Sequence, residues 1–157
     1  LPDGFAKLSN LKFLDLSWNK FENFPTEIIS LGNLSYLNLA VNHVKTIPEN
    51  IGNLVKLNYL NCQGDFFVNY QLKIKTIPNT IGQLTQLKTL ILADNVIEQI
   101  PESISNCAQL KTIDLKDNLL NNLPESFGQL TLLKSLNLKA NEFGKLPQSF
   151  SIYPLPE

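Results

Sequence analysis

The chain has no arginine and no methionine, and among its 157 residues there are only two cysteines, one histidine and one tryptophan. Each scarcity excludes something. All 13 basic residues are lysine, so the planar fork that grips phosphates and guanine edges in a bidentate manner is missing. A formal net charge of −1 and a pI near 5.9 leave no global field to attract polyanions or anionic lipid. Nucleic acid is therefore not an expected partner. Cys62, Cys107 and His43 cannot make up a zinc set, and they assemble no Cys/His or Ser/His/Asp relay. No glycine-rich phosphate loop is present either. No metal, no cofactor and no intrinsic catalytic activity are expected, so the chain is read as a non-enzyme. Apolar runs stay far below the ~18 residues of a membrane helix, which excludes membrane insertion by that route. The chain begins at Leu1 without a basic, then apolar, leader. We read it as a piece of a longer protein. At 43% hydrophobic and 17% charged residues it has the composition of a globular domain.

What the sequence does have is a beat. LKFLDLSWN at 11–19, LSYLNLAVN at 34–42 and LNYLNCQGD at 57–65 follow one another at intervals of 23 residues. LKTLILADN at 87–95, LKTIDLKDN at 110–118 and LKSLNLKAN at 133–141 continue the series after one interval of 30. Between them recurs a second block: IPENIGNL at 47–54, IPNTIGQL at 77–84, IPESISNC at 100–107 and LPESFGQL at 123–130. In x-Leu-x-Leu-x alternate side chains point to opposite faces of a strand. Leu14, Leu16, Leu37, Leu39, Leu90, Leu92, Leu136 and Leu138 are thus expected inside, and the residues between them outside. Three-residue strands cannot stand alone, so neighbouring repeats must stack and pair in parallel. Asn19, Asn42, Asn95, Asn118 and Asn141 follow each strand, where an amide both donates to and accepts from backbone groups that would otherwise be buried unpaired. Prolines 25, 48, 78, 101, 124 and 147 suit the first residue of a short helical or 3₁₀ turn. Ile28, Ile51, Ile81, Ile104 and Phe127 then fill the core from that side.

The composite LPxxIGxLxxLxxLxLxxNx, carried by residues such as 47–66 and 123–142, resembles the 23-residue leucine-rich repeats of the Ras-suppressor and plant intracellular Ras-group type, which also occur in many bacterial proteins. The likeness extends along the whole chain, 1–157, as one domain. It implies an α/β solenoid: a curved horseshoe with a parallel concave sheet of about six short strands and helical or 3₁₀ turns on the convex side. It also implies a binding platform, with partners that vary from member to member. Two departures stand out. The first unit enters partway, at LPDGF, and the last, LPQSFSIYPLPE, puts Pro156 where a further strand would begin.

The outward strand columns carry the functional reading. The first runs Phe13, Tyr36, Tyr59, Thr89, Thr112, Ser135: three rings, then three hydroxyls. At a strand spacing of about 4.8 Å the rings would form a ladder roughly 10 Å high. The second column is Asp15, Asn38, Asn61, Ile91, Asp114, Asn137, and the third ends in Lys116 and Lys139. Trp18 and Val41 follow their strands at the edge. Contiguous exposed aromatics mark contact surfaces, whereas the strand-start lysines 12, 88, 111 and 134 read as a solvated rim. Cys62 and Cys107 occupy leucine slots and read as small buried hydrophobes. Asn33-Leu34-Ser35 has glycosylation spacing, but its leucine belongs to the core.

The seven extra residues fall within 62–73. The asparagine slot there is held by Asp65, counting from the strand, or by Leu72, counting back from Ile74, so the ladder should break locally. Phe66, Phe67 and Tyr70 could form a satellite core beneath the loop, or project near Trp18 and Val41 and extend the aromatic face. The expected role is protein or peptide binding on the concave face through Phe13, Trp18, Tyr36 and Tyr59, with Asn38 and Asn61 bonding at the centre and Phe66, Phe67 or Tyr70 joining them. A carbohydrate surface and a regulatory segment of a larger signalling enzyme are the alternatives. A monomer is favoured, and free core cysteines lean toward a cytoplasmic address.

Overall fold

The computed structural model describes residues 1–69, 71 and 73–152. Six strands, β1 (Phe13–Asp15), β2 (Tyr36–Asn38), β3 (Tyr59–Asn61), β4 (Thr89–Ile91), β5 (Thr112–Asp114) and β6 (Ser135–Asn137), form one parallel sheet in sequence order. The register carries each repeat position onto its equivalent: Phe13 faces Tyr36, Tyr36 faces Tyr59, and Tyr59 faces Thr89. The longer interval between β3 and β4 leaves that register unchanged, because a loop outside the strands absorbs the extra residues. Leu14, Leu37, Leu60, Leu90 and Ile113 point inward and are buried. At the flanks of the array Leu16, Leu136 and Leu138 are only partly buried against the same core.

Opposite the sheet each unit closes with a five-residue 3₁₀ helix, such as Thr26–Ser30, Glu49–Asn53, Asn79–Gln83, Glu102–Asn106 and Glu125–Gln129. The prolines stand one residue earlier than the first helical position expected from sequence. Pro48, for example, has φ −74° but extended ψ 153°, and its carbonyl accepts the first helical bond from Ile51 at 3.0 Å. Ring closure fixes φ near −65°, a value shared by helix and extended chain, so proline is compatible with the cap as well as the first turn. Ile28, Ile51, Ile81, Ile104 and Phe127 are buried behind these helices. Burying side chains of this size contributes roughly 1.5–3 kcal/mol each. Adjacent helices approach closely: a Cβ on Gly82 would lie 2.5 Å from the carbonyl oxygen of Ser103, so only glycine fits there.

The asparagines that follow the strands work across repeats. Asn118 Nδ2 donates to Leu92 O at 3.0 Å in the preceding repeat and to Leu115 O at 3.1 Å in its own, while its Oδ1 accepts Ile97 N–H at 2.9 Å. Asn42, Asn95 and Asn141 repeat the pattern toward Leu16 O, Cys62 O and Leu115 O. Asn42, Asn95 and Asn118 are buried. Asn19 makes only bonds within its own unit, to Leu16 O and Ser17 O.

Replacing Asn118 by alanine leaves the buried Ile97 N–H without its acceptor, while Leu92 O and Leu115 O each keep one amide donor, from Asn95 and Asn141. An unsatisfied buried group costs about 1–3 kcal/mol, so Asn118→Ala is expected to destabilise by roughly that amount. Asn19→Ala should cost under about 1 kcal/mol, and urea denaturation of the two variants measures the difference.

Candidate functional site

The first outward column forms a continuous stack. The rings of Phe13 and Tyr36 lie 4.2 Å apart, centroid to centroid, with planes 13° from parallel, and those of Tyr36 and Tyr59 lie 4.3 Å apart at 7°. Both spacings are tighter than the distance between strands, so the rings lean together into contact. Parallel pairing alone places them in register, and the flat side chains then gain area and dispersion by closing the gap. The consequence for recognition is geometric. Each face of the Tyr36 ring meets a neighbour, so the middle of the stack offers ring edges and a hydroxyl to a partner, and among the described residues only the two end rings have a face without a ring neighbour. Burial against these neighbours, with Tyr59 beside it, pushes the Tyr36 phenol above its ordinary value.

The amides of the second column are held within the protein. Asn38 Nδ2 donates to Asp15 Oδ2 at 3.0 Å, and its Oδ1 accepts Ala40 N–H at 3.1 Å. Asn61 is 8% exposed; its Nδ2 donates to the Tyr59 hydroxyl at 3.3 Å and its Oδ1 accepts Gln63 N–H at 2.9 Å. Asn61 therefore braces the stack at Tyr59, while Asn38 ties β2 to β1 through Asp15. Asp15 accepts from the Ser17 hydroxyl and N–H, which hold its carboxyl below the usual value. In the other half of the face Lys116 Nζ pairs with Asp117 Oδ2 at 2.8 Å, and this carboxylate raises the ammonium's pKa.

Trp18 is 78% exposed at the corner after β1, and among the described residues its ring pairs with no other. The corner itself is unusual. Trp18, Val41, Asp94, Asp117 and Ala140 all have φ between 51° and 58°, left-handed backbone that non-glycine residues adopt at a cost. Gly64 is the equivalent residue of the third repeat, yet its φ is not positive. A Cβ on it would run into the carbonyl oxygen of Asp94, so close approach of backbones requires the glycine there.

From that point the inserted loop departs. Its two ends are tied to the fourth repeat: Gly64 N–H donates to Ala93 O at 2.9 Å, and Ile74 N–H to Asn95 Oδ1 at 3.0 Å. The rung at Asp65 is replaced by a local turn in which its carboxylate accepts Phe67 N–H at 2.9 Å. Phe66 and Phe67, 71% and 90% exposed, form an edge-to-face pair 5.6 Å apart. Neither fills a satellite core. Tyr70 and Leu72 lie outside the described residues. Among the described loop residues, Phe66 and Val68 wall a groove of about 450 Å³ whose other lining includes Asp94, Asp117, Leu119 and Ala140. This groove, on the charged half, is what the column reading missed. Its only trace in the sequence is the left-handed corner position shared by three of those residues.

The remaining candidates behave as core or scaffold. Cys62 and Cys107 are buried and unbridged, and burial pushes their thiols up to about 12 and about 11. Asn33 donates to Ser9 O at 2.9 Å and accepts from Lys56 Nζ at 2.7 Å, so its amide serves the scaffold. Among the described residues no group of three potential metal ligands occurs, and no helix is long and apolar enough to cross a membrane.

Leucine-rich-repeat family models match residues 85–143 and 10–31. Together with the stacked parallel strands and the asparagine rungs, these matches decide the architecture. The chain is a leucine-rich-repeat solenoid. Among solved structures, a leucine-rich-repeat protein of Leptospira interrogans is 36% identical over 96% of this chain, with a TM-score of 0.89. The Arabidopsis receptor kinase HAESA, solved with the peptide hormone IDA and the co-receptor SERK1, is 29% identical over 96% of the chain with a TM-score of 0.78. The PEPR1–AtPEP1 complex matches at 25% identity over 96%, with a TM-score of 0.82. The chain spans 36%, 26% and 21% of those three chains. Among curated proteins none matches. These likenesses support a protein-interaction scaffold on a fold that is typically non-catalytic, and they do not single out the Ras-suppressor subtype.

Two outcomes follow for the leucine-rich-repeat array. Deleting residues 66–72 restores the 23-residue interval, and with both loop ends already held on repeat four the shortened protein should keep its circular dichroism and melt within a few degrees of the parent. A collapsed spectrum would make the loop structural. At pH 8 a maleimide or disulfide reagent should label neither cysteine in the folded protein and both in urea, as read by mass spectrometry.

Proposed function

We propose that this array is a non-catalytic interaction scaffold that holds a protein or peptide across the aromatic half of its sheet face. The observation that carries the proposal is the Phe13–Tyr36–Tyr59 stack: three contiguous rings standing on the strands and braced at Tyr59 by Asn61. Rings fixed in this way lose little conformational entropy when a partner covers them, and aromatic clusters of this kind dominate interface energetics. HAESA, matched across this chain, is solved with the peptide hormone IDA and the co-receptor SERK1, and PEPR1 with AtPEP1, which supports a protein or peptide ligand here. The exposed Trp18 and the Phe66–Phe67 pair are secondary contacts in this proposal, at opposite halves of the edge.

A sugar surface would need open ring faces and unoccupied amides. Tyr36 has neighbours on both faces and Asn61 has partners on both of its polar atoms, so the geometry favours the protein reading.

The test uses a peptide selected against the wild-type array from a random displayed library. Tyr36→Ala with Tyr59→Ala should weaken that peptide by roughly tenfold or more while the urea midpoint moves little, since buried hot-spot aromatics each contribute above about 1 kcal/mol. Unchanged affinity in the double variant would sink the proposal.

A further inference from the structure

We infer that the stack has a fourth rung, the space above Thr89 against the free side of the Tyr59 ring, and that it accepts an aromatic side chain of a protein or peptide ligand; this rests on the binding role proposed above for the same face.

The register supplies the argument. β3 and β4 pair with Tyr59 opposite Thr89 and Asn61 opposite Ile91, so the strand that would carry the next ring carries a short hydroxyl side chain instead. Two successive intervals of 4.2 Å and 4.3 Å, with planes within 13° of parallel, define where a further ring would lie. Among the described residues no ring pairs with Tyr59 on that side. Beneath the vacant rung stands Ile91, half-buried and apolar, where every other member of its column is Asp or Asn. One polar column is thus interrupted by an apolar residue at the step where the ring ladder ends. A flat apolar ring would cover both Ile91 and the Tyr59 face. The Thr112 hydroxyl, one strand further on, would serve as a polar partner for a phenol or indole edge.

The same surroundings disfavour a sugar at this rung. A pyranose needs hydrogen bonds around its rim, but the nearest amide, Asn61, already bonds Tyr59 and Gln63, and Ile91 offers none. Off-centre parallel stacking of an aromatic side chain adds a modest increment beyond area burial, enough to define specificity at one position of a longer ligand.

The experiment is methyl NMR on the whole chain, labelled at threonine and isoleucine, titrated with N-acetyl-tryptophanamide and separately with methyl β-glucopyranoside. The indole should shift the Thr89 and Ile91 methyls saturably, through its ring current. Thr89→Tyr, which fills the rung from within, should weaken binding roughly three- to tenfold or abolish it, whereas Thr112→Tyr should leave Ile91 responsive. Response to the glucoside without response to the indole would overturn the ligand class. Indole shifts that persist unchanged in Thr89→Tyr, or that avoid Thr89 and Ile91, would overturn the rung. If the rung fails while Tyr36→Ala with Tyr59→Ala still loses the selected peptide, the face keeps its binding role; if both fail, the face is not the site.

Discussion

A buried asparagine that bonds its own strand end and its neighbour's is the interaction on which this molecule depends. The strands are three residues long, and each turn must leave the sheet with carbonyls pointing into the core. Without a donor there, every repeat would bury unpaired backbone, at about 1–3 kcal/mol per group. Asn42, Asn95, Asn118 and Asn141 supply that donor across the gap to the preceding repeat, and their side-chain oxygens catch an N–H on the way back. With the turn secured, leucines fill the interior, proline caps start the 3₁₀ helices, and closing each repeat makes no demand on the outward positions. The aromatic stack exists because the scaffold does not need those positions.

The ladder also explains how the chain tolerates seven extra residues. Asp65 cannot donate, so the third repeat has no rung of its own. Yet Asn95 still reaches Cys62 O and still receives Ile74 N–H, which closes the fourth repeat on the third around the loop. The β3–β4 register survives because the bonds that set it lie on either side of the excursion.

Most of the architecture was legible in the leucine period, because a strict repeat forces register: once Phe13, Tyr36 and Tyr59 share a column, parallel pairing must bring them together. The inward leucines, the asparagine bonds and the burial of both cysteines follow from the same argument. Other features depend on distances that no period contains. Proline's fixed φ suits two adjacent positions, so its place one residue before each helix could not be told from the residue type. That Asn61 braces the rings and Asn38 is held by Asp15 depends on the Tyr59 hydroxyl and the Asp15 carboxylate lying within reach. The course of the loop is not in the period either: Phe66 and Val68 share a groove with Asp94 and Asp117. The exposure of Phe66 and Phe67 was open between two outcomes, and Tyr70 lies outside what the structure describes.

Ring contact between the first three repeats has a mechanical side. Repeats one to three are joined by backbone, by core and by rings already at van der Waals contact, so sliding one repeat past the next would have to part the stack as well as the sheet. Repeats four to six are coupled by backbone and core, with hydroxyls where the rings would be. In a quasi-one-dimensional array each junction contributes its own stiffness. The solenoid is thus a spring of unequal coils, stiff where the aromatic face is and more compliant beyond Thr89, and a ligand ring seated at that boundary would carry the stiff section one coil further.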